Sequence, residues 1–263
     1  MKTFYRVYND WNLSQRYSLK SFGIEVDEGF SSIDFSGTDE NKELLQLIDE
    51  WALEKYYWTE YDKEDYLNSK LFVLSSRWAN GYPMPDINGG YFAKTYQTDN
   101  NYCDACDIAK VQQDSFRLAK EPKWGNKTCF TMNWIYDELF VRKNLYDNVF
   151  KKIGLDFTPV VLFKKETVLE DTLQLKIPKV DMPLNLKNQP FELCAKCNRK
   201  KYRNSFKGLF PSFKGSIPNL PIFKTSDYFG SGAEAHNKIF ITRELWDELK
   251  LLKVNINLIP VEP

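Results

Sequence analysis

An α+β fold is predicted for this chain: an N-terminal α+β region over residues 1–100, then a duplicated half over 101–263. Each copy (about 101–165 and 191–263) would carry a Cys-x-x-Cys pair and a strand–helix–strand unit, the two stapled by a pair of zinc knuckles. Three observations predict this. Helix-period and strand-like apolar patterns are mixed through the first hundred residues. Placing Phe140 on Phe240 holds a 100-residue register, in which Leu139-Phe140-Val141 meets Ile239-Phe240-Ile241 and Leu145-Tyr146-Asp147 meets Leu245-Trp246-Asp247; one residue is then gained, and Pro159-Val160 meets Pro260-Val261. Each copy also opens on a cysteine pair, Cys103/Cys106 or Cys194/Cys197, followed at nearly the same offset by Ser115-Phe116 or Ser205-Phe206.

Taken in order, residues 4–8 alternate weakly and read as a strand. Thr38-Asp39-Glu40 reads as a helix start, with Thr38 as the cap and acids in the first turn. Leu44, Leu47, Ile48, Trp51 and Ala52 follow at helical spacing, so one amphipathic helix is expected to about Lys55. Residues 71–74 read as a short buried strand, and the Gly/Pro-rich residues 80–85 and 88–90 as a loop. In the first copy Leu145, Tyr146, Val149, Phe150 and Ile153 form a helical apolar face, and 157–163 is the closing strand. In the second, Thr242 is a suitable helix cap, Leu245, Trp246, Leu249 and Leu252 form the apolar face, and 256–261 closes. Arg142, at the matching place, is a poorer cap. Residues 177–190, with Pro178, Pro183 and Pro190, form a connector.

A length of 263 residues, 43% hydrophobic and 27% charged, is ordinary for a globular protein with a real core. The aromatic share, 16%, fits wide sheet faces. Net charge is zero but uneven. Between Glu25 and Asp65, 14 acids face 3 lysines; between Leu186 and Lys214, 8 basic residues face 1 acid. That asymmetry argues against a uniform nucleic-acid-binding surface, though not against a local one. The N-terminus has no apolar signal segment, and no run approaches the roughly 18 apolar residues a membrane span needs. A cytoplasmic protein with no membrane partner is therefore expected, and reduced Cys-x-x-Cys pairs there are more often metal or redox sites than disulfides.

Four thiols in two such pairs can close around one ion, so Cys103, Cys106, Cys194 and Cys197 are the predicted ligands of a structural Zn2+. Asp107 and Asn198, next after each pair, tolerate the left-handed backbone that a knuckle favours. Four buried thiols without metal is the bland alternative. A thioredoxin-like redox pair is weaker, because neither pair begins a helix in a βαβ pattern. Cys129 is expected as a core thiol. His236, the only histidine, limits histidine-based catalysis to a site built around itself, and with Gly230-Ser231-Gly232 nearby it reads as an inert loop residue. That Gly-Ser-Gly lacks the longer phosphate-loop pattern, and no carboxylate pair is singled out by spacing. The reading is of a protein that is not an enzyme.

Two surface segments remain. Glu50, Trp51, Glu54, Tyr57, Trp58, Glu60, Tyr61 and Asp62 interleave acids with the residue types that anchor protein interfaces, and form the candidate partner-binding set. Arg199, Lys200, Lys201, Tyr202 and Arg203, beside the second knuckle, form the alternative: a basic, aromatic-containing stretch of the kind that grips phosphates and stacks a base. Each has a plain reading as a solvated stretch.

Further landmarks lie around the cysteine pairs: Tyr82-Pro83-Met84-Pro85, Glu121-Pro122-Lys123-Trp124-Gly125, Trp134 and Tyr228-Phe229-Gly230-Ser231-Gly232. In this order, over about residues 80–263, they resemble the double-CXXCG immunity proteins known from myxobacteria. The chain departs from that pattern in having Asp107 and Asn198 where the family has glycine. The resemblance implies a small cytoplasmic protein that binds a cognate toxin stoichiometrically and neutralises it. The rival reading is a zinc-knuckle nucleic-acid binder.

Overall fold

The computed structural model describes residues 1–204 and 206–263, and the fold is α+β. Two compact units divide the chain: Met1–Asn68 with residues 206–210, and Ser69–Asn204 with Pro211–Pro263. Ser205, one half of the Ser-Phe likeness, lies outside the described residues.

In the first unit, β1 (Lys2–Trp11), α1 (Leu13–Ser21), β2 (Gly29–Ser36), α2 (Lys42–Glu50), β3 (Lys55–Glu60) and α3 (Lys63–Asn68) follow in order. The sheet is antiparallel, β2-β1-β3. Period-two alternation turns Tyr5, Val7, Ile33 and Phe35 inward, where they pack with Trp11 and with Leu19 of α1 and Leu44 and Ile48 of α2. The helix expected over 38–55 is shorter. Thr38 makes no side-chain cap bond; a 3-10 turn, Asp39–Asn41, comes first. At the far end Ala52 takes φ 54°, its N–H reaches Asp49 O at 2.9 Å, and Leu53 N–H reaches Ile48 O at 3.2 Å. That paired left-handed cap stops the helix at Glu50 and frees Tyr56–Trp58 for a strand.

The second unit runs β4 (Leu71–Ser76), α4 (Gly90–Thr95), β5 (Tyr96–Gln97), β6 (Val111–Gln112), β7 (Arg117–Leu118), β8 (Cys129–Phe130) and β9 (Phe140–Arg142). Then come α5 (Lys143–Leu145, continued as a π turn over Tyr146–Phe150), β10 (Phe157–Leu162), β11 (Thr167–Leu175), β12 (Phe191–Leu193) and β13 (Lys200–Tyr202). β14 (Ile222–Lys224), β15 (Ile239–Thr242), α6 (Arg243–Leu251) and β16 (Ile256–Pro260) complete it. The larger sheets are ordered β7-β10-β11-β9-β8 and β14-β15-β4-β16.

Four strands of the first sheet, β8-β9-β11-β10, match the second sheet, β14-β15-β4-β16, in order; β7, at the first sheet's edge, has no counterpart there. In each, a strand–helix–strand unit (β9-α5-β10 or β15-α6-β16) leaves a gap that one antiparallel strand fills, β11 or β4. The registers agree: Leu173 lies between Val141 and Pro159, and Phe72 between Ile241 and Pro260. Phe140 stacks on Phe130 (5.1 Å between centroids, 14°), and Phe240 stacks on Phe223 (5.6 Å, 8°). Helix starts differ as expected: Thr242 Oγ1 accepts from Leu245 N–H, whereas Arg142 makes no cap bond. Leu252, assigned to the apolar face, instead sits exposed just past the helix end. Because β4 belongs to the second sheet, the compact units part at Asn68/Ser69 and not near residue 100.

Arg117, 7% exposed, ties β7 to the β10–β11 turn through Glu166 (3.1 Å) and to the segment before β7 through Asp114 (2.9 Å). Its hydrogen bonds hold both carboxyls below the usual range. Lowered folded-state values contribute stability that is present above the ordinary carboxylate range and lost as pH falls through the lowered values. Arg117→Met should flatten this acid limb in urea melts taken across pH 2–7 (an acid range of roughly the width set by). In the cores, Phe240→Ala and Phe140→Ala should each cost about 3–5 kcal/mol, read from denaturant midpoints.

Candidate metal centre

Each cysteine pair sits in the turn of a short hairpin, β5–β6 or β12–β13. The two turns close alike. Asp107 N–H donates to Cys103 O and Asn198 N–H to Cys194 O, each at 2.8 Å; Cys103 N–H reaches Ile108 O at 3.1 Å and Cys194 N–H reaches Arg199 O at 3.0 Å. Asp107 (φ 62°) and Asn198 (φ 57°) take the left-handed conformation that this closure requires. Short polar side chains accept that backbone more readily than others, so both adopt it at modest strain.

The closures aim all four sulfurs at one point. Cys103 Sγ lies 3.8 Å from Cys194 Sγ and Cys106 Sγ lies 3.6 Å from Cys197 Sγ, and all four sulfurs are within 4.8 Å of one another. Those spacings are near the ~3.8 Å edge of a tetrahedron with ~2.3 Å metal–sulfur bonds, so the set can hold a metal ion. All five cysteines are free thiols. Burial pushes Cys106 up to about 12. Burial also opposes ionisation of Cys197, but side-chain and backbone hydrogen bonds of Arg199 prevail and bring it down to about 6. Arg199 Nε donates to Cys197 Sγ at 3.3 Å while Nη2 donates to Asn101 O at 2.6 Å, linking the two knuckles. Lys196 and Asp104 bridge them again at 2.6 Å. Ile108 and Ala235 pack against the thiols.

Matched residues of the two halves meet each other here. Cys103 faces Cys194, Cys106 faces Cys197, the Tyr136 and His236 rings lie 5.3 Å apart, and Asn237 N–H reaches Asp137 Oδ2 at 3.3 Å. Like meeting like is the contact pattern of an approximate two-fold axis. The sequence reading missed Tyr136, Asp137 and their partners, although the 100-residue register extends to them without a gap.

The alternative basic stretch divides. Arg199 is engaged as described, and Lys201, 2% exposed, bonds through Nζ to the carbonyls of Gly232 and Glu234. Tyr202 packs between Phe191 and Phe229; Lys200 and Arg203 are exposed. Of the candidate partner set, Glu50, Glu54, Glu60 and Asp62 are exposed, and Asp62 pairs with the N-terminal ammonium at 2.6 Å. Trp51 packs edge-on against Trp11, Tyr57 against Tyr5, Trp58 stacks on Phe4, and Tyr61 donates to Gly208 O. His236, expected on an exposed loop, is 5% exposed, with Nδ1 2.9 Å from Glu234 Oε1 and Nε2 3.0 Å from Asn204 Oδ1. Cys129 is buried, and burial pushes its thiol up to about 11. No helix is long and apolar enough to cross a membrane among the described residues.

No family model, curated protein or solved structure matches this chain.

Metal analysis should find one ion per chain, lost in the Cys103→Ser variant. Chelation, or that substitution, should abolish the cooperative unfolding transition of the second unit while sparing the helical signal of α1 and α2, as read by circular dichroism and limited proteolysis.

Proposed function

We propose that this chain is a non-catalytic immunity protein that binds and neutralises a cognate toxin, with zinc held structurally by its four cysteines. Zinc is favoured by donor chemistry. Four thiolates in a closed set match structural zinc, which needs no open coordination position, and ligation free energy doubles as folding free energy. The toxin reading is supported by the resemblance in the order of landmarks around the two cysteine pairs.

The observation that carries protein binding is the outer face of the β2-β1-β3 sheet. Its helices cover one side only, and the other presents Phe30 (75% exposed), Tyr8 (42%) and Tyr56 (51%) in a ring-on-ring row. Exposed aromatics grouped this way mark interaction surfaces. Fifteen acids against seven basic residues over Met1–Asn68 give the unit a charge that would speed capture of a basic toxin. Compared with the sequence-derived set, this reading moves the proposed contact to Tyr8, Phe30 and Tyr56, rimmed by Glu54 and Glu60. The nucleic-acid reading is less supported, because Arg199 and Lys201 are already occupied within the fold.

The test begins with native mass spectrometry of the protein captured, after nuclease treatment, from cells that make it. A stoichiometric protein partner and one zinc are expected. Nucleic acid carried along with no protein partner would reverse the assignment. With the partner in hand, converting Glu54 and Glu60 to Lys should slow association roughly tenfold at low salt. An unchanged rate would remove this face from the interface.

A further inference from the structure

Next to the metal centre lies a cleft of about 320 Å³ that the sulfur cluster does not use. Its size is within the range of small-molecule sites, ~300–1,000 Å³. Three aromatic side chains line it: Tyr91, Trp134 and Tyr136. Trp134 and Tyr136 are about half exposed, and Trp134 is braced by Tyr82 (4.6 Å) and Tyr91 (6.0 Å). Trp134 takes φ 70°, and Ile135 N–H closes the turn onto Met132 O at 3.1 Å. A bulky residue rarely adopts that backbone, and such strain collects at ligand clamps.

The lining is anionic. Asp107, Asp137 and Glu234 face a single lysine, Lys110, whose ammonium is taken by Asp107 at 2.6 Å. Glu234 is fixed by His236, and the loop that carries it is fixed by Lys201. Asp137 is different. It is 8% exposed, and its hydrogen bonding among the described residues is one long contact, Asn237 N–H to Oδ2 at 3.3 Å. Burial disfavours its charge, but Lys224, Lys110 and His236 hold it below the usual carboxylate range. An ionised, nine-tenths buried carboxylate with acceptor capacity unmet is an acceptor awaiting a donor.

We propose that this cleft binds an organic cation, a guanidinium or alkylammonium group packed on the Trp134, Tyr91 and Tyr136 rings and paired with Asp137. Aromatic faces attract such cations, and a planar guanidinium can donate to a carboxylate while stacking on an indole. The cation can belong to a free small molecule or to a basic side chain of another protein; the chemistry is shared. The proposal is independent of the immunity reading.

Calorimetry on the purified, zinc-loaded chain tests it, with propylguanidinium as probe, the neutral isostere propylurea as control and sodium chloride at matched ionic strength. Propylguanidinium should bind and propylurea should not. Asp137→Asn should weaken binding about tenfold or more, and Trp134→Ala about threefold, with metal content and circular dichroism unchanged. If Asp137→Asn fails to fold, Trp134→Ala and Tyr136→Ala, which remove half-exposed rings, still report. Equal binding of the two probes, no binding of either, or affinities unmoved in the folded variants would overturn the proposal. An acetylated, amidated Gly-Arg-Gly peptide distinguishes the sources: tighter binding than propylguanidinium assigns the cation to a protein side chain, weaker binding to a free molecule.

Discussion

Four sulfurs meeting on an approximate two-fold axis organise the second unit. Each knuckle crowns a hairpin with strands of only two or three residues, far too short to hold together in water. What surrounds the thiols is thin as well: Ile108 and Ala235 are the other fully buried apolar members of that cluster. An ion held by the four sulfurs would fix the hairpins in place, and with them residues 96–112 and 191–202. Arg199 deepens the coupling, since one guanidinium reaches a sulfur of the second knuckle and a carbonyl flanking the first.

The axis is approximate in a way that matters. Two identical aspartates facing each other at positions 137 and 237 would place like charges together in a buried site, a costly arrangement. The chain has Asn237 there instead, which offers its backbone N–H to Asp137 and its side-chain amide to Asp227 O. Similarly Tyr136 faces His236, and Glu138 is matched by Lys238. Through the first two of these pairs the departure from symmetry reaches the cleft, whose lining takes in Tyr136, His236 and Asp137 with no second aspartate opposite.

Much of this was legible in the chain. The cysteine spacing and the left-handed tolerance of Asp107 and Asn198 prefigured both the convergence of thiols and the local backbone. The Phe140/Phe240 register prefigured two like strand–helix–strand units. Three things were not legible. The end of α2 depends on Ala52 adopting a backbone that alanine's composition statistics do not suggest, so apolar spacing alone carried the helix too far. The burial of His236 and Lys201 arises from packing between segments distant in sequence. The strand completing the second sheet, β4, lies outside the repeat altogether, and no local pattern assigns a partner to a four-residue apolar run.

The two repeats obtain that missing strand from opposite directions. In the first, β11 follows its unit at once; in the second, β4 precedes β15 by more than 160 residues. During synthesis on the ribosome the first sheet can therefore close soon after residue 175 emerges. β4, fully apolar over Leu71–Leu74, must wait with both edges open until the β15–β16 segment appears. At ~5–20 residues per second that exposure lasts on the order of ten seconds or more. A nascent chain halted in this interval presents an unpaired hydrophobic strand, the species that chaperones capture and that other chains can pair with.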